Sequence, residues 1–244
     1  MKKIIFLLFS FTLIANQNVL STPSTGLKLL RDWKPASVVT EADVKVYSLD
    51  SCFQILPISD SVFSRMRGKS YKKGCSIPLS DLRYLKLLHR NANGEPQLGE
   101  MVCNKIIASI LLKIFRELYE AGYRIERMVL VDDYNAVDEK AMEANNTSAF
   151  NYRNVSGGRK LSKHSLGLAV DVNPLYNPCH RLNTGKIEPA LGKKYVYNRS
   201  KRKDIPYKID HNDLCYKLFR SYGFSWGGDW RSVKDYQHFE YIMK

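Results

Sequence analysis

The 244-residue sequence predicts an α+β fold in one principal domain. A long segment of helical periodicity, short stretches of period-two alternation, and glycine or proline stops between them carry that reading. From Gly99 to Tyr123 the residues Val102, Ile106, Ile110, Ile114 and Leu118 recur every four positions, and Gly122 follows as a stop, which predicts a packing helix. Cys103 falls on its apolar face and reads as a small buried hydrophobe. Met128 to Val131 then reads as a buried strand ended by Asp132 and Asp133, and a polar stretch from Asn135 to Arg159 follows. Leu168, Val170 and Val172 alternate with Ala169, Asp171 and Asn173, so on a strand the first set faces the core and Asp171 faces the other way. Gly167 supplies the turn before it and Pro174 the stop after it. A second helix is expected from Asp210 or Asn212 to Tyr222, with Leu214, Leu218 and Phe219 inward and Gly223 at its end. The loop Trp226 to Trp230 separates it from a final strand, Tyr236 to Ile242.

The beginning of the chain reads differently. Lys2 and Lys3 precede an apolar run, Ile4 to Ile14, too short to span a bilayer and followed by small and polar residues, the pattern of a secretory signal over residues 1–21. Cleavage after Ala15 and cleavage after Ser21 both fit. The expectation is an exported protein, periplasmic or on the outer face of the cell. Residues 22–47, with weak periodicity and scattered prolines, read as a leader or linker, and residues 48–244 as the domain. The five cysteines include no Cys-x-x-Cys pair, which disfavours a cysteine metal knuckle. Export permits disulfides, and the sequence gives no pairing.

Lysine and arginine number 38 against 24 acidic residues, a formal charge of +14. That balance favours an anionic partner through attraction that salt weakens. For an exported chain an anionic envelope surface is the expected one; net charge alone would speak for nucleic acid, which is not expected. The short clusters Lys193-Lys194 and Lys201-Arg202-Lys203 are equally compatible with a generally basic surface.

The chemistry-bearing pattern is Ser162-Lys163-His164-Ser165-Leu166-Gly167-Leu168-Ala169-Val170-Asp171, followed near the end by Asp235-Tyr236-Gln237-His238. Two imidazoles and one carboxylate, His164, His238 and Asp171, are the nitrogen and oxygen donor set that suits Zn²⁺ with an open fourth position. Asp235, three residues before His238, is then available as general base. Arg153 is the expected partner for charge developing on a carbonyl oxygen. Ser162 is a hydrogen-bonding partner for a ligand or the substrate, and Trp226 a substrate-cleft wall. His89, His180 and His211 read as structural histidines, and Glu240 as a solvated or structural carboxylate.

The order Ser-x-His-x-x-Gly-x-Ala-x-Asp, continuing Val172-Asn173-Pro174, then Trp226-Gly227-Gly228-Asp229-Trp230 and Asp235-Tyr236-Gln237-His238-Phe239, resembles the zinc D-alanyl-D-alanine carboxypeptidase and L-alanyl-D-glutamate endopeptidase family, related to the hedgehog fold. The likeness covers roughly residues 125 to 242 and extends more loosely to about residue 50. It implies zinc at His164, Asp171 and His238, Asp235 as the catalytic carboxylate, and Arg153 as carbonyl partner. It also implies a small central antiparallel sheet bearing the metal, flanked by helices, and peptidoglycan stem peptides as substrate. Vancomycin-resistance-type members carry Glu where this chain has Asp235, and the Asp form resembles the endopeptidase-like branch. The alternative of another class is a non-catalytic, zinc-containing wall-binding protein of the same fold.

Overall fold

Ser24 and Thr40 each open a short helix, α1 (Thr25–Asp32) and α2 (Glu41–Tyr47). The Ser24 hydroxyl accepts from the Leu27 N–H, and Thr40 forms a reciprocal capping box with Asp43, so the first-turn donors find partners. Leu30, Trp33, Val39 and Val44 are buried in the main core, and the Trp33 indole donates to the Gly99 carbonyl at 3.1 Å. Residues 25–47 are therefore built into the domain, which corrects the expectation of a loose leader. The computed structural model describes residues 24–155, 158 and 160–243, and the expected secretory segment lies outside the described residues.

After β1 (Gln54–Leu56) and α3 (Asp60–Met66), the chain forms a long hairpin, β2 (Leu82–Arg90) with β3 (Pro96–Asn104), in register from Leu82 opposite Asn104 to Arg90 opposite Pro96. The first six residues of the helix expected from Gly99 are thus strand, and Cys103 lies on β3. The helix proper, α4, is Lys105–Glu120, capped by the Asn104 side chain on the Ile106 N–H. The cause of the misreading is that β3 is covered on both sides. Met101 and Cys103 pack in the main core with α4, while Val102 faces a second cluster with Val62, Met66, Leu82, Tyr84, Leu130 and Phe150. A doubly covered strand shows no polar alternation, and its apolar run merges with the helical one.

Met128 to Leu130 is extended and buried but pairs with no strand, another correction. Its backbone bonds go elsewhere: the Glu100 N–H donates to the Met128 carbonyl, and the Asn146 side chain both donates to and accepts from Val129, each at 2.9 Å. One amide side chain does here what a neighbouring strand otherwise does. The polar stretch beyond it contains a short helix, α5 (Asp138–Glu143).

Residues 148–150 join the hairpin to the rest. Phe150 N–H donates to the Val102 carbonyl at 3.0 Å, and Ser148 exchanges both backbone hydrogen bonds with Asp171. The remaining strands are β4 (Ala169–Asp171), β5 (Cys179–Arg181), β6 (Ile187–Glu188), β7 (Phe224–Trp226), β8 (Val233–Asp235) and β9 (His238–Tyr241). They form two antiparallel three-stranded sheets, ordered β4-β9-β7 and β6-β5-β8. The architecture is the expected α+β fold with small antiparallel sheets and helices; among the described residues the strands form three sheets, counting that of the hairpin. The last helix, α6 (Leu214–Ser221), is capped by Asp213 and buries Cys215 and Phe219, with Phe219 stacked on Phe239 at 4.3 Å. Leu214, expected inward, is exposed, and its neighbour Cys215 takes the buried position. All five cysteines are free thiols.

Candidate metal centre

The turn before β4 is a short 3₁₀ segment, Lys163–Leu166, stopped by Gly167 at φ +67°. A side chain at Gly167 would meet the Asn104 backbone nitrogen at 2.6 Å, so this turn is pressed against the start of α4 and only glycine fits. The Ser162 hydroxyl accepts from the His164 N–H at 3.2 Å and caps the turn. The residue expected beside a ligand or the substrate therefore supports the backbone that presents His164. His164 Nδ1 donates to the Ala149 carbonyl at 2.6 Å, which fixes the tautomer and leaves the Nε2 lone pair facing the site.

Strand pairing brings the other two donors to it. Asp171 on β4 lies directly opposite His238 on β9. His164 Nε2 is 3.1 Å from His238 Nδ1 and 3.2 Å from Asp171 Oδ2, and His238 Nδ1 is 3.0 Å from Asp171 Oδ1. Donors bound at about 2.0–2.1 Å on tetrahedral corners lie about 3.3 Å apart, so this triangle has the dimensions of one face of a zinc coordination shell. The three residues form the potential metal-binding group among the described residues. The donor chemistry fits as well: two imidazole nitrogens and one carboxylate are directed inward, in a buried surround.

The electrostatics show that this pocket calls for positive charge. Burial disfavours a charged His238, yet its hydrogen bonds to Asp171 and Glu240, with the charges of Asp171 and Asp235, outweigh burial and push its pKa up to about 10. Burial would raise Asp171, but His164 and His238 hold it well below the usual carboxylate range. Glu240 accepts from His238 Nε2 at 3.3 Å, so the nitrogen opposite the metal face is anchored by a carboxylate. That contact was missed in the sequence, although residues two apart on a strand share a face and Glu240 is two beyond His238.

Asp235 sits beside the triangle. The close approach of Gly227 shows it: a Cβ there would lie 2.8 Å from Asp235 Cβ and 3.3 Å from His238 Cβ. No donor among the described residues reaches the buried Asp235 Oδ1. Burial, aided by the charge of Asp171 and opposed by His238, pushes its pKa up to about 6. Its cross-strand partner is Cys179, whose buried thiol is pushed up and is no nucleophile at neutral pH.

Arg153 and Trp226 are placed differently from expectation. The Arg153 guanidinium is ion-paired through Nε with Asp138 of α5, and Nη1 donates to the Asn154 carbonyl at 3.3 Å. Its backbone is tied to the His164 turn, since its N–H donates to Ser165 Oγ and its carbonyl accepts from the Ser162 N–H. Trp226 is 3% exposed and donates to the Tyr236 carbonyl, so it is a pillar under the site instead of a cleft wall. Trp230, whose ring centre lies 5.3 Å from that of His238, is the tryptophan beside the cluster. Of the three histidines read as structural, His89 is buried with Nδ1 donating to the Ile125 carbonyl, and His211 pairs with Asp229 on the surface.

Residues 156–241 match the family model described as D-alanyl-D-alanine carboxypeptidase. No curated protein and no solved structure matches the chain.

Proposed function

From the match of residues 156–241 to the family model described as D-alanyl-D-alanine carboxypeptidase, we propose that this chain is an exported zinc peptidase that hydrolyses an amide bond in peptidoglycan stem peptides. The observation that carries this reading is the triangle of His164, Asp171 and His238 donors, 3.0–3.2 Å on each side, with Asp235 buried next to it and its Oδ1 without a hydrogen-bond donor among the described residues. A zinc ion held by those three side chains would polarise the scissile carbonyl and bring the pKa of water to about 7.

The protein supplies the rest. Asp235, with a pKa near 6, takes the proton from the attacking water and returns it to the departing amine. Its lack of a hydrogen-bond donor on Oδ1 keeps that oxygen available for the proton. His164 is kept in one tautomer by Ala149 and His238 is anchored by Glu240, so neither ring needs to reorient during turnover. Trp230 forms an apolar wall beside His238 that orients the peptide and excludes water. Arg153, held through Nε on Asp138, has Nη2 to offer a developing oxyanion or a substrate carboxylate.

Substituting Asp235→Ala is expected to abolish hydrolysis of a defined stem peptide while zinc stays bound, and His164→Ala to lose the zinc. Mass spectrometry of the products identifies the bond cut and separates carboxypeptidase from endopeptidase action. Undiminished hydrolysis by both variants would overturn the assignment.

A further inference from the structure

Half of the net positive charge is concentrated in one excursion of the chain. Residues 181–208, from the last residue of β5 into the connection to α6, carry nine lysines and arginines against two acidic residues, a net +7 in 28 residues, before Asp210 and Asp213 close the connection. In the sequence the basic residues form two short clusters; the fold makes them one. The Arg202 guanidinium donates to the Lys194 carbonyl, and the Lys208 ammonium donates to the Arg202 carbonyl at 2.9 Å. Lys193, Lys194, Lys201, Arg202, Lys203 and Lys208 are thereby gathered on one stretch of surface. Asp204 pairs with Arg202, and Asp210 with Lys208. Lys193, Lys194, Lys201 and Lys203 are exposed and have no ion-pair partner among the described residues.

This patch is fixed to the catalytic region. Arg199, buried within the excursion, donates to the carbonyls of Tyr176 and Tyr195, and its guanidinium lies 4.5 Å from the ring centre of Tyr236, the residue after Asp235. β5, which leads into the excursion, is paired with β8, which ends in Asp235. The excursion is therefore anchored to the strand that ends in Asp235 and to the residue that follows it.

We propose that the 181–208 excursion is a docking surface for a flexible phosphodiester glycopolymer of the cell envelope, which holds the peptidase against its substrate. Taking the polymer to be part of the envelope rests on the peptidase reading above. The chemistry favours a linear polyanion. Four lysines are hydrated point charges on flexible stems, suited to spaced single charges and without the rigid forks that select a bidentate group. A bilayer calls for an amphipathic helix laid in its interface, whereas the excursion contains only short 3₁₀ turns, Ala190–Tyr195 and Arg199–Lys201, and the two-residue strand β6. Recognition of bases calls for a row of aromatic stacking platforms along the groove; Tyr195 and Tyr207 are packed against Tyr176, which leaves Tyr197 as the exposed tyrosine of the excursion.

The test compares the full mature chain with the variant Lys193→Gln, Lys194→Gln, Lys201→Gln, Lys203→Gln, using a glycerol-phosphate polymer of defined length as probe. The wild type is expected to bind it, with an affinity that falls as salt rises; the variant binds about tenfold more weakly or worse, and its log–log salt slope is shallower by about 3. Hydrolysis of a short soluble stem peptide stays unchanged in the variant, while release of peptide from intact polymer-bearing wall drops. Equal binding by the two proteins would overturn the proposal, as would tighter binding of the wild type to single-stranded DNA of matched charge or to anionic phospholipid vesicles. Failure of both proteins to cleave the soluble peptide would instead count against the peptidase reading, since the binding measurement does not depend on turnover.

Discussion

Gly227→Ala is a small change that reports directly on the geometry of the site. The added methyl would stand 2.6 Å from the Asp235 carbonyl oxygen, 2.8 Å from Asp235 Cβ and 3.3 Å from His238 Cβ. Carbon atoms in favourable contact lie about 3.5–4.0 Å apart, so relief requires β8 to move away by about 0.7 Å or more. Such overpacking costs about 1–3 kcal/mol of stability. A displacement approaching 1 Å in a catalytic group costs about 10²-fold in rate. The expected result is a folded protein with a lower denaturation midpoint, bound zinc, and kcat on a stem peptide reduced about 100-fold. The neighbouring Gly228→Ala is the contrast, because its methyl would meet the Trp226 ring at 2.4 Å and strain the pillar from the other side. Denaturant melts, zinc content and initial rates for both variants complete the experiment. A Gly227→Ala protein with wild-type rate and stability would show that Asp235 does not stand where this reasoning puts it.

Three other outcomes follow from the same structure. Glu240→Ala, which removes the anchor of His238 Nε2, is expected to weaken zinc binding about 10–100-fold in competition with a chromophoric chelator, with little change in secondary structure. Leu30→Ala should cost about 2–5 kcal/mol in chemical denaturation, because Leu30 is fully buried in the main core; a loosely attached leader would give no effect. Burial holds the pKa of His89 down to about 4 from 6.5, so the folded chain binds this proton less readily than the unfolded one. The stabilisation is complete above pH 6.5 and is lost as pH falls through about 4, a difference of about 3 kcal/mol. The stability of His89→Leu should accordingly fall less than that of wild type between pH 7 and pH 4, and parallel pH profiles would contradict this.

The site was more legible in the sequence than the fold around it, and the reasons are local. His164 and Asp171 are joined by a tight turn and a short strand, so their chemistry and spacing survive any uncertainty about distant packing. The alternation that turns Asp171 from the core is visible because Leu168, Val170 and Val172 are all buried. Glycine at 167 was readable as a turn, but its contact with Asn104 is tertiary and had no local signal. The β3–α4 boundary was hidden because both elements are apolar and Val102 precedes Ile106 by one helical repeat. The helices α1 and α2, eight and seven residues long, are too short for periodicity to stand out, and only their caps, Ser24 and Thr40 with Asp43, marked them. Choosing between Trp226 and Trp230 needed the fold, since a five-residue loop does not say which ring turns inward. Arg153 was read from its place in the motif, and its tie to Asp138 depends on a helix inside a stretch taken to be irregular.

The carbonyl of Ala149 that sets the tautomer of His164 lies upstream of the segment 156–241 that matches the family model. So does Ser148, which exchanges backbone bonds with Asp171, while Phe150 reaches across to the long hairpin. The matched segment and the set of residues that shape the site therefore have different borders. A peptide cut to the matched segment would keep His164, Asp171 and His238 and lose the scaffold that aims the first of them, so transplanting the triangle into another protein must begin no later than the hairpin.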